Sequence, residues 1–207
     1  NIITQVNIGL DYPYYQNITR VENPNSTTVL VNKYRRLTDT FIPQDLVTIS
    51  GEYADKVIQL NKIAYDAFIE LCKDTKKIDL NIKGISAYRN YNYQVSLYND
   101  YVNKDGKTLA DTYSARPGHS EHQTGLTIDV AGGGLVFTDI AKTKEYIWLK
   151  DNIYKYGFII RYPKDKQNIT GYKYEPWHLR YVGINIATYI YKNNITFDEY
   201  YIRFLDK

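Results

Sequence analysis

The chain has 207 residues, a formal net charge of +3, 43% hydrophobic residues and a single cysteine. These totals fit one domain with a sizeable core and exclude an internal disulfide. The small charge argues against a nucleic-acid binder, which would carry a concentrated basic stripe, and no apolar run is long enough to cross a membrane.

Hydrophobic periodicity divides the chain into an N-terminal arm and a mixed domain. Residues 1–27 are polar and rich in turn residues, so we expect an arm or linker there and a single domain over 28–207. Apolar residues at helical period predict helices, and β-favouring runs predict strands. In chain order, the predicted elements are extended lead-in segments at 30–33 and 43–47, a helix at 52–74, a strand at 80–88, a helix at 91–104, a strand at 126–130, a helix at 138–155, strands at 158–161 and 177–182, and helices at 184–193 and 197–203.

The order of these elements predicts the fold class. Helices and short strands follow one another without the strict alternation of a parallel α/β protein. We therefore expect an α+β fold with a small antiparallel sheet flanked by helices.

Two histidine motifs are the most informative part of the sequence. His122 follows Ser120 and precedes Asp129, and the segment Glu175-Pro-Trp-His178 comes further along the chain. Two histidines and an aspartate are a sufficient ligand set for a catalytic zinc, whose fourth position stays open for water. Glu175 is placed to accept the proton of that water. An isolated histidine is usually structural, but this ordered pattern favours a zinc hydrolase.

His122 and Asp129 can share one metal ion only if the chain bends between them. Along an unbroken strand their odd separation would put the two side chains on opposite faces. Gly125 is the residue that permits such a bend. We expect His178 to come from a neighbouring strand, and Glu175 to be extended because a proline follows it.

Together these motifs resemble those of the zinc D-alanyl-D-alanine carboxypeptidases of the VanY type. That family shares the Hedgehog/DD-peptidase fold with VanX dipeptidases and some phage endolysins. The likeness runs from about Leu30 to Val182, and two departures from the family pattern, at Thr127 and at 36–40, leave the fine substrate preference open. The motifs that carry it are Ser86-Ala-Tyr-Arg89-Asn-Tyr-Asn-Tyr-Gln94, Ala115-Arg-Pro-Gly-His-Ser-Glu-His122, Gly125-Leu-Thr-Ile-Asp129 and Glu175-Pro-Trp-His178.

The resemblance implies a role for each matching residue. His122, Asp129 and His178 would bind Zn²⁺, and Glu175 would be the general base. Arg89 would bind or polarise the substrate near the scissile carbonyl.

Recognition of the substrate's terminal carboxylate falls to further residues. By the same resemblance, Ser120 would contact that carboxylate, and Gln94 is a weaker candidate for the same pocket. Arg116 could also bind the carboxylate, or it could be a loop arginine that makes only structural hydrogen bonds.

The expected reaction is hydrolysis of the C-terminal D-Ala from peptidoglycan stem peptides by a D,D-carboxypeptidase. Several alternatives stay open: an L,D-carboxypeptidase acting on tetrapeptide stems, a D,D-dipeptidase or endopeptidase, and a non-catalytic zinc-containing wall-binding or signalling domain. A nucleic-acid or membrane-surface protein has only the small charge and the tyrosines in its favour.

The expected substrate also sets the expected location. Peptidoglycan lies outside the cytoplasmic membrane, so we expect the protein there, in the cell wall or anchored to the membrane. The chain begins at Asn1 rather than at a methionine, so we expect a processed or truncated product whose signal or anchor lies outside these residues. Nothing in the sequence suggests an obligate dimer, and we expect a monomer.

Overall fold

The structure, a computed structural model, describes residues 12–206. The strands are β1 (Thr19–Arg20), β2 (Arg35–Arg36), β3 (Leu46–Ile49), β4 (Ile58–Asn61), β5 (Ile82–Ser86), β6 (Thr127–Gly132), β7 (Phe158–Tyr162) and β8 (Glu175–Tyr181). The α-helices are α1 (Lys62–Lys76), α2 (Tyr91–Asp105), α3 (Lys107–Ala110), α4 (Lys144–Asn152), α5 (Gln167–Thr170), α6 (Ile184–Asn193) and α7 (Phe197–Phe204). Short 3-10 helices cover Gly51–Tyr53, Glu121–Thr124, Phe137–Lys142 and Ile153–Tyr156.

The centre of the fold is a four-stranded antiparallel sheet in the order β5-β6-β8-β7. Alternate residues of β6 point to opposite faces, and Ile128 on one face is fully buried in a core that it shares with Phe68 and Leu71 of α1. The predicted α+β fold with a small antiparallel sheet flanked by helices is confirmed.

The predicted helix at 52–74 was wrong in its first half. Residues Ile58–Asn61 form a strand that pairs antiparallel with Leu46–Ile49, and the helix begins only at Lys62. Ile58 and Leu60 are buried while the residue between them is exposed, which is the alternation of a strand. The Asn61 side chain then accepts a hydrogen bond from the Ile63 amide and starts the helix.

The predicted helix at 138–155 is divided into three pieces. Thr143 accepts a hydrogen bond from the Tyr146 amide and caps the central α-helix, with a 3-10 helix on either side of it. The last piece ends at Gly157, which has the left-handed φ of 80° expected of a helix stop. Of the two lead-in segments, 43–47 overlaps β3, whereas 30–33 forms no strand.

The described part of the N-terminal arm packs on the domain. Tyr15 is buried, and its hydroxyl lies 3.3 Å from that of Tyr172. Arg180 donates a hydrogen bond to the Thr27 carbonyl at 3.0 Å. The division between arm and domain at residue 27 stays a prediction. Over the described residues, no helix has both the length and the apolar character needed to span a bilayer.

Candidate metal centre and active site

Three elements bring the predicted metal ligands together. His122 lies in the 3-10 helix Glu121–Thr124, which Gly125 ends with a left-handed φ of 69°. Asp129 lies in β6 and is the cross-strand partner of His178 in β8. The predicted bend at Gly125 and the predicted neighbouring strand are both confirmed. All three side chains are buried.

The spacing of the ligand atoms fits a small tetrahedral metal. His122 Nε2 lies 3.3 Å from Asp129 Oδ2, and His178 Nδ1 lies 3.3 Å from Asp129 Oδ1. One ligand atom from each residue falls within 4.8 Å of the others. Nitrogen and oxygen ligands at about 2.0–2.1 Å from zinc would be about 3.3 Å apart on a tetrahedron. The donor set and its spacing therefore suit Zn²⁺.

The hydrogen bonds show which atoms face this centre. His122 Nδ1 lies 2.6 Å from the Ala87 carbonyl oxygen, which can only accept, so Nδ1 carries the hydrogen and Nε2 is free for a metal. Arg89 donates to Asp129 Oδ2 at 2.7 Å, while Asp129 Oδ1 is buried without a hydrogen-bond partner. A buried oxygen of this kind is expected where a cation binds.

The electrostatics of the cluster favour a positive charge at its centre. Burial lowers the pKa of His122 to about 4, so it is neutral at pH 7, as a metal ligand must be. Burial would also lower the pKa of His178, but the carboxylates of Asp129 and Glu121 raise it to about 9. Burial opposes ionisation of Asp129, yet the neighbouring His178 and Arg89 hold its pKa well below the usual value.

Glu175 stands at the edge of the cluster. It is the first residue of β8, in the predicted extended conformation, and its Oε2 lies 3.4 Å from His178 Nδ1. Burial raises the pKa of Glu175 to about 8, and the negative charge of Asp129 adds to the effect. A carboxyl group with such a pKa can exchange protons near neutral pH, as a general base must.

A cleft of about 310 Å³ opens onto these residues. Arg89, Gln94 and Ser120 all line it. Arg89 is oriented by Ser86, whose hydroxyl accepts from Nε at 3.0 Å. Gln94 donates to the Ala115 carbonyl at 2.8 Å, and its Oε1 is buried without a partner.

Arg116 is the one predicted site residue that does not line the cleft. Its guanidinium forms two hydrogen bonds with the carboxylate of Asp111, at 3.0 and 2.8 Å, and lies 3.8 Å from the ring centroid of Tyr15. The structure thus brings seven of the eight predicted residues together and places Arg116 in an ion pair outside them.

Sequence reasoning missed a buried carboxylate and two arginines behind the cluster. Glu121, next to His122 in the chain, forms ion pairs with Arg161 of β7 and Arg180 of β8. The sequence carried a signal for these ion pairs. Arg161 and Arg180 lie in otherwise largely apolar strands, and a charged residue buried in such a strand must find a buried partner. Aromatic side chains that line the cleft were also missed, namely Tyr101, Tyr113, Phe137, Tyr162 and Tyr172.

The family model for VanY, D-alanyl-D-alanine carboxypeptidase, matches residues 57–184. The chain belongs to this family, and it is a carboxypeptidase. It is 38% identical over 206 residues to the protein YodJ of Bacillus subtilis (strain 168). The alignment covers 93% of this chain and 76% of YodJ.

Solved structures show the same likeness. The LD-carboxypeptidase LdcB superimposes with a TM-score of 0.83 at 38% identity, over 90% of both chains. The D,D-pentapeptidase VanY of a VanB-type vancomycin resistance cassette, solved with Zn(II), gives a TM-score of 0.72 at 30% identity over 84% of this chain and 98% of that one. The structure of VanYB in complex with D-alanine-D-alanine gives a TM-score of 0.75 at 30% identity, over 87% of this chain and 99% of that one.

Proposed function

We propose that the protein is a zinc-dependent carboxypeptidase that removes the C-terminal D-alanine from peptidoglycan stem peptides. The observation that carries this proposal is the meeting of His122, Asp129, His178 and Glu175 in one cleft. Membership of the VanY family supports the reaction, and the zinc complex of a VanY structure supports the metal.

The geometry of the metal-centre residues supports a role for each of them. His122 Nε2, Asp129 Oδ1 and His178 Nδ1 would hold the zinc ion, which when bound acidifies a water molecule and polarises a carbonyl group. Glu175 Oε2 accepts the proton of the attacking water and delivers it to the leaving amine. The position of its carboxyl in the cleft beside His178 supports this role.

The cleft also holds residues that would bind the substrate. Arg89 presents a guanidinium beside Asp129, where it would stabilise the negative charge that develops on the scissile carbonyl oxygen. Ser120 would bind the terminal carboxylate. The free atom of Gln94 is an acceptor, so it suits a substrate N–H better than a carboxylate. A substrate role for Arg116 would require its pair with Asp111 to open.

The bond that is cut has two candidates, which differ in the residue before the terminal D-alanine. The D,D bond of a pentapeptide stem is supported by the family match and by the likeness to VanYB, solved with D-alanine-D-alanine. The L,D bond of a tetrapeptide stem is supported by the likeness to LdcB, which is higher in both identity and TM-score.

Mass spectrometry of products from paired pentapeptide and tetrapeptide stems, with and without a zinc chelator, tests the proposal. Chelator-sensitive loss of one D-alanine from the pentapeptide would establish the D,D activity, and loss from the tetrapeptide alone would establish the L,D activity. No cleavage of either stem by zinc-loaded protein would contradict the proposal and favour an endopeptidase or a non-catalytic wall-binding domain.

This substrate places the site of action outside the cytoplasmic membrane, where peptidoglycan lies. Anchoring to the wall or membrane and a monomeric state are further parts of the proposal. Size-exclusion chromatography with light scattering would test the second of these.

A further inference from the structure

A cluster of buried charges lies directly behind His178. Glu121, Arg161, Arg180 and Asp198 are each at most 1% exposed, and their two negative and two positive charges balance. Buried ion pairs of this kind often contribute no more stability than apolar residues of the same size. Their position against a candidate metal ligand therefore suggests a role beyond packing.

The two oxygens of Glu121 have different surroundings. Oε1 accepts hydrogen bonds from Arg161 Nε at 2.8 Å and from Arg180 Nη1 at 2.7 Å. Oε2 has no hydrogen-bond partner and lies 3.7 Å from His178 Nε2, which also has none. Two buried, unsatisfied atoms thus face each other, one an acceptor and the other a nitrogen that can carry a hydrogen.

We infer that Glu121 is a positioning residue for His178: its Oε2 accepts the Nε2 hydrogen and so directs the Nδ1 lone pair towards the metal. The inference rests on the proposed function, in which His178 is a zinc ligand. Closing the gap from 3.7 Å to about 2.8 Å needs only a small movement of the ring or the carboxylate.

The two arginines keep the carboxylate from turning away. Arg180 is itself held by the carbonyl oxygens of Thr27 and Val29, at 3.0 and 2.7 Å. Arg161 is held by Asp198 at 2.6 Å. The acceptor for His178 is therefore held by two guanidinium groups, each of which has buried partners of its own.

His122, the other histidine of the site, is oriented by a different kind of hydrogen-bond acceptor. His122 gives its Nδ1 hydrogen to the Ala87 carbonyl and faces the centre with Nε2, whereas His178 faces the centre with Nδ1. The two rings meet edge to face, with centroids 5.0 Å apart. Each ring is thus oriented by its own acceptor, a backbone carbonyl for one and Glu121 for the other.

Zinc affinity of Glu121→Gln and Asp198→Asn tests the inference. Both substitutions remove one charge from the same buried cluster, but only Glu121 faces His178. We expect Glu121→Gln to weaken zinc binding about 10–100-fold in chelator competition and to change the visible absorption of the Co²⁺-substituted protein. Asp198→Asn reaches Glu121 only through Arg161, so its effects on zinc affinity and on the spectrum should be clearly smaller. Wild-type affinity and spectrum in Glu121→Gln, or an equal loss in Asp198→Asn, would overturn the inference.

If Glu121→Gln does not fold, an NMR experiment on the wild-type protein still tests the inference. The chain has only three histidines, so the ring nitrogens of ¹⁵N-histidine-labelled, zinc-loaded protein can be resolved by NMR. We expect His178 to carry a slowly exchanging hydrogen on Nε2 and none on Nδ1. A hydrogen on Nδ1, or an Nε2 hydrogen that exchanges like that of an exposed imidazole, contradicts the inference. Failure of the wild type to bind zinc would instead refute the proposed function.

Discussion

At the residue scale, the site separates groups that hold charge from groups that move a proton. Asp129 is kept ionised by His178 and Arg89, although burial opposes its charge. Glu175, a few ångströms away, has fewer compensating partners, and burial raises its pKa to about 8. Two carboxylates in one cleft thus have opposite pKa shifts because their nearest neighbours differ, which agrees with the proposed roles of Asp129 as a ligand and Glu175 as the base.

Substitution of Glu175 by Gln tests this division of roles. The amide has the same shape but cannot accept the proton, so we expect kcat to fall about 10²- to 10⁴-fold while bound zinc stays at one equivalent. Metal analysis and steady-state kinetics check the two parts. Glu70→Gln, an exposed glutamate on α1, is the matched control and should behave as wild type. A Glu175→Gln protein with normal kcat would exclude the residue as the base.

His119 gives a residue-scale prediction for stability. Burial lowers its pKa to about 4 from an unperturbed 6.5, and Arg36 and Arg116 lower it further, against a hydrogen bond to the Asn32 carbonyl. Below pH 6.5 the unfolded chain therefore binds a proton that the folded protein refuses. The contribution of His119 to the free energy of unfolding is fully present above pH 6.5 and is lost as the pH falls towards 4. Between pH 7 and pH 5 the loss is about 2 kcal/mol.

Urea unfolding of wild type and His119→Gln at these two pH values measures the effect. Glutamine keeps a donor for the Asn32 carbonyl but does not titrate. We expect the free energy of unfolding to fall less between pH 7 and pH 5 in the variant than in the wild type. Equal losses in both proteins would show that other groups carry the pH dependence.

At the element scale, one turn connects two of the proposed ligands. The 3-10 helix that carries His122 ends at Gly125, and β6 with Asp129 begins two residues later. A Cβ on Gly125 would lie 3.0 Å from Leu46 Cδ2 and 3.3 Å from the Asn61 nitrogen. The β3–β4 hairpin therefore lies close against this turn, and a side chain at Gly125 would be crowded there in addition to the strain of the positive φ.

Gly125→Ala and Gly51→Ala separate these two requirements. Both glycines have nearly the same φ, 69° and 68°, but a Cβ on Gly51 meets nothing within 4 Å. We expect Gly51→Ala to lose about 1–2 kcal/mol of unfolding free energy from the backbone alone. Gly125→Ala should lose a further 1–3 kcal/mol, roughly, through crowding.

Urea unfolding and zinc titration of both variants check these values. Because Gly125 sets the relation of His122 to Asp129, its substitution should also weaken zinc binding, whereas Gly51→Ala should not. Identical stability and zinc affinity in the two variants would show that the turn tolerates a side chain.

At the scale of the whole molecule, the sheet separates two apolar regions. The larger core contains Phe68, Ile128 and Leu179, and a smaller cluster contains Ile159, Val182 and Phe197 under the C-terminal helices. The buried charges of Arg161 and Arg180 lie against the Phe197 ring of the smaller cluster, 5.7 and 5.1 Å from its centroid. The metal centre is therefore built on the sheet and supported from behind by the C-terminal part of the chain.

Zinc should stabilise the whole fold because its proposed ligands come from β6, β8 and the 3-10 helix before β6. At a free zinc concentration a thousandfold above the dissociation constant, we expect about 4 kcal/mol more unfolding free energy than in chelator. Thermal or urea unfolding with and without zinc measures the difference. His122→Ala should abolish it, and a zinc effect that survives in this variant would contradict the assignment of His122 as a ligand.

Local patterns in the chain were enough to predict the fold class and the candidate ligand set. Periodicity is local, so it predicted most helices and the strands of the central sheet. The histidine motifs placed the donor types in order, and Gly125 indicated the bend that lets His122 and Asp129 meet.

Contacts between residues that are distant in the chain could not be predicted from these local patterns. The strand Ile58–Asn61 exists because it pairs with Leu46–Ile49, which helical periodicity cannot show. Arg116 is paired with Asp111 rather than open to the cleft. The contact between Glu121 and His178, 57 positions apart in the numbering, forms only when the turn before β6 lies behind β8. Burial makes each of these polar groups find a partner, and folding alone determines which partner is within reach.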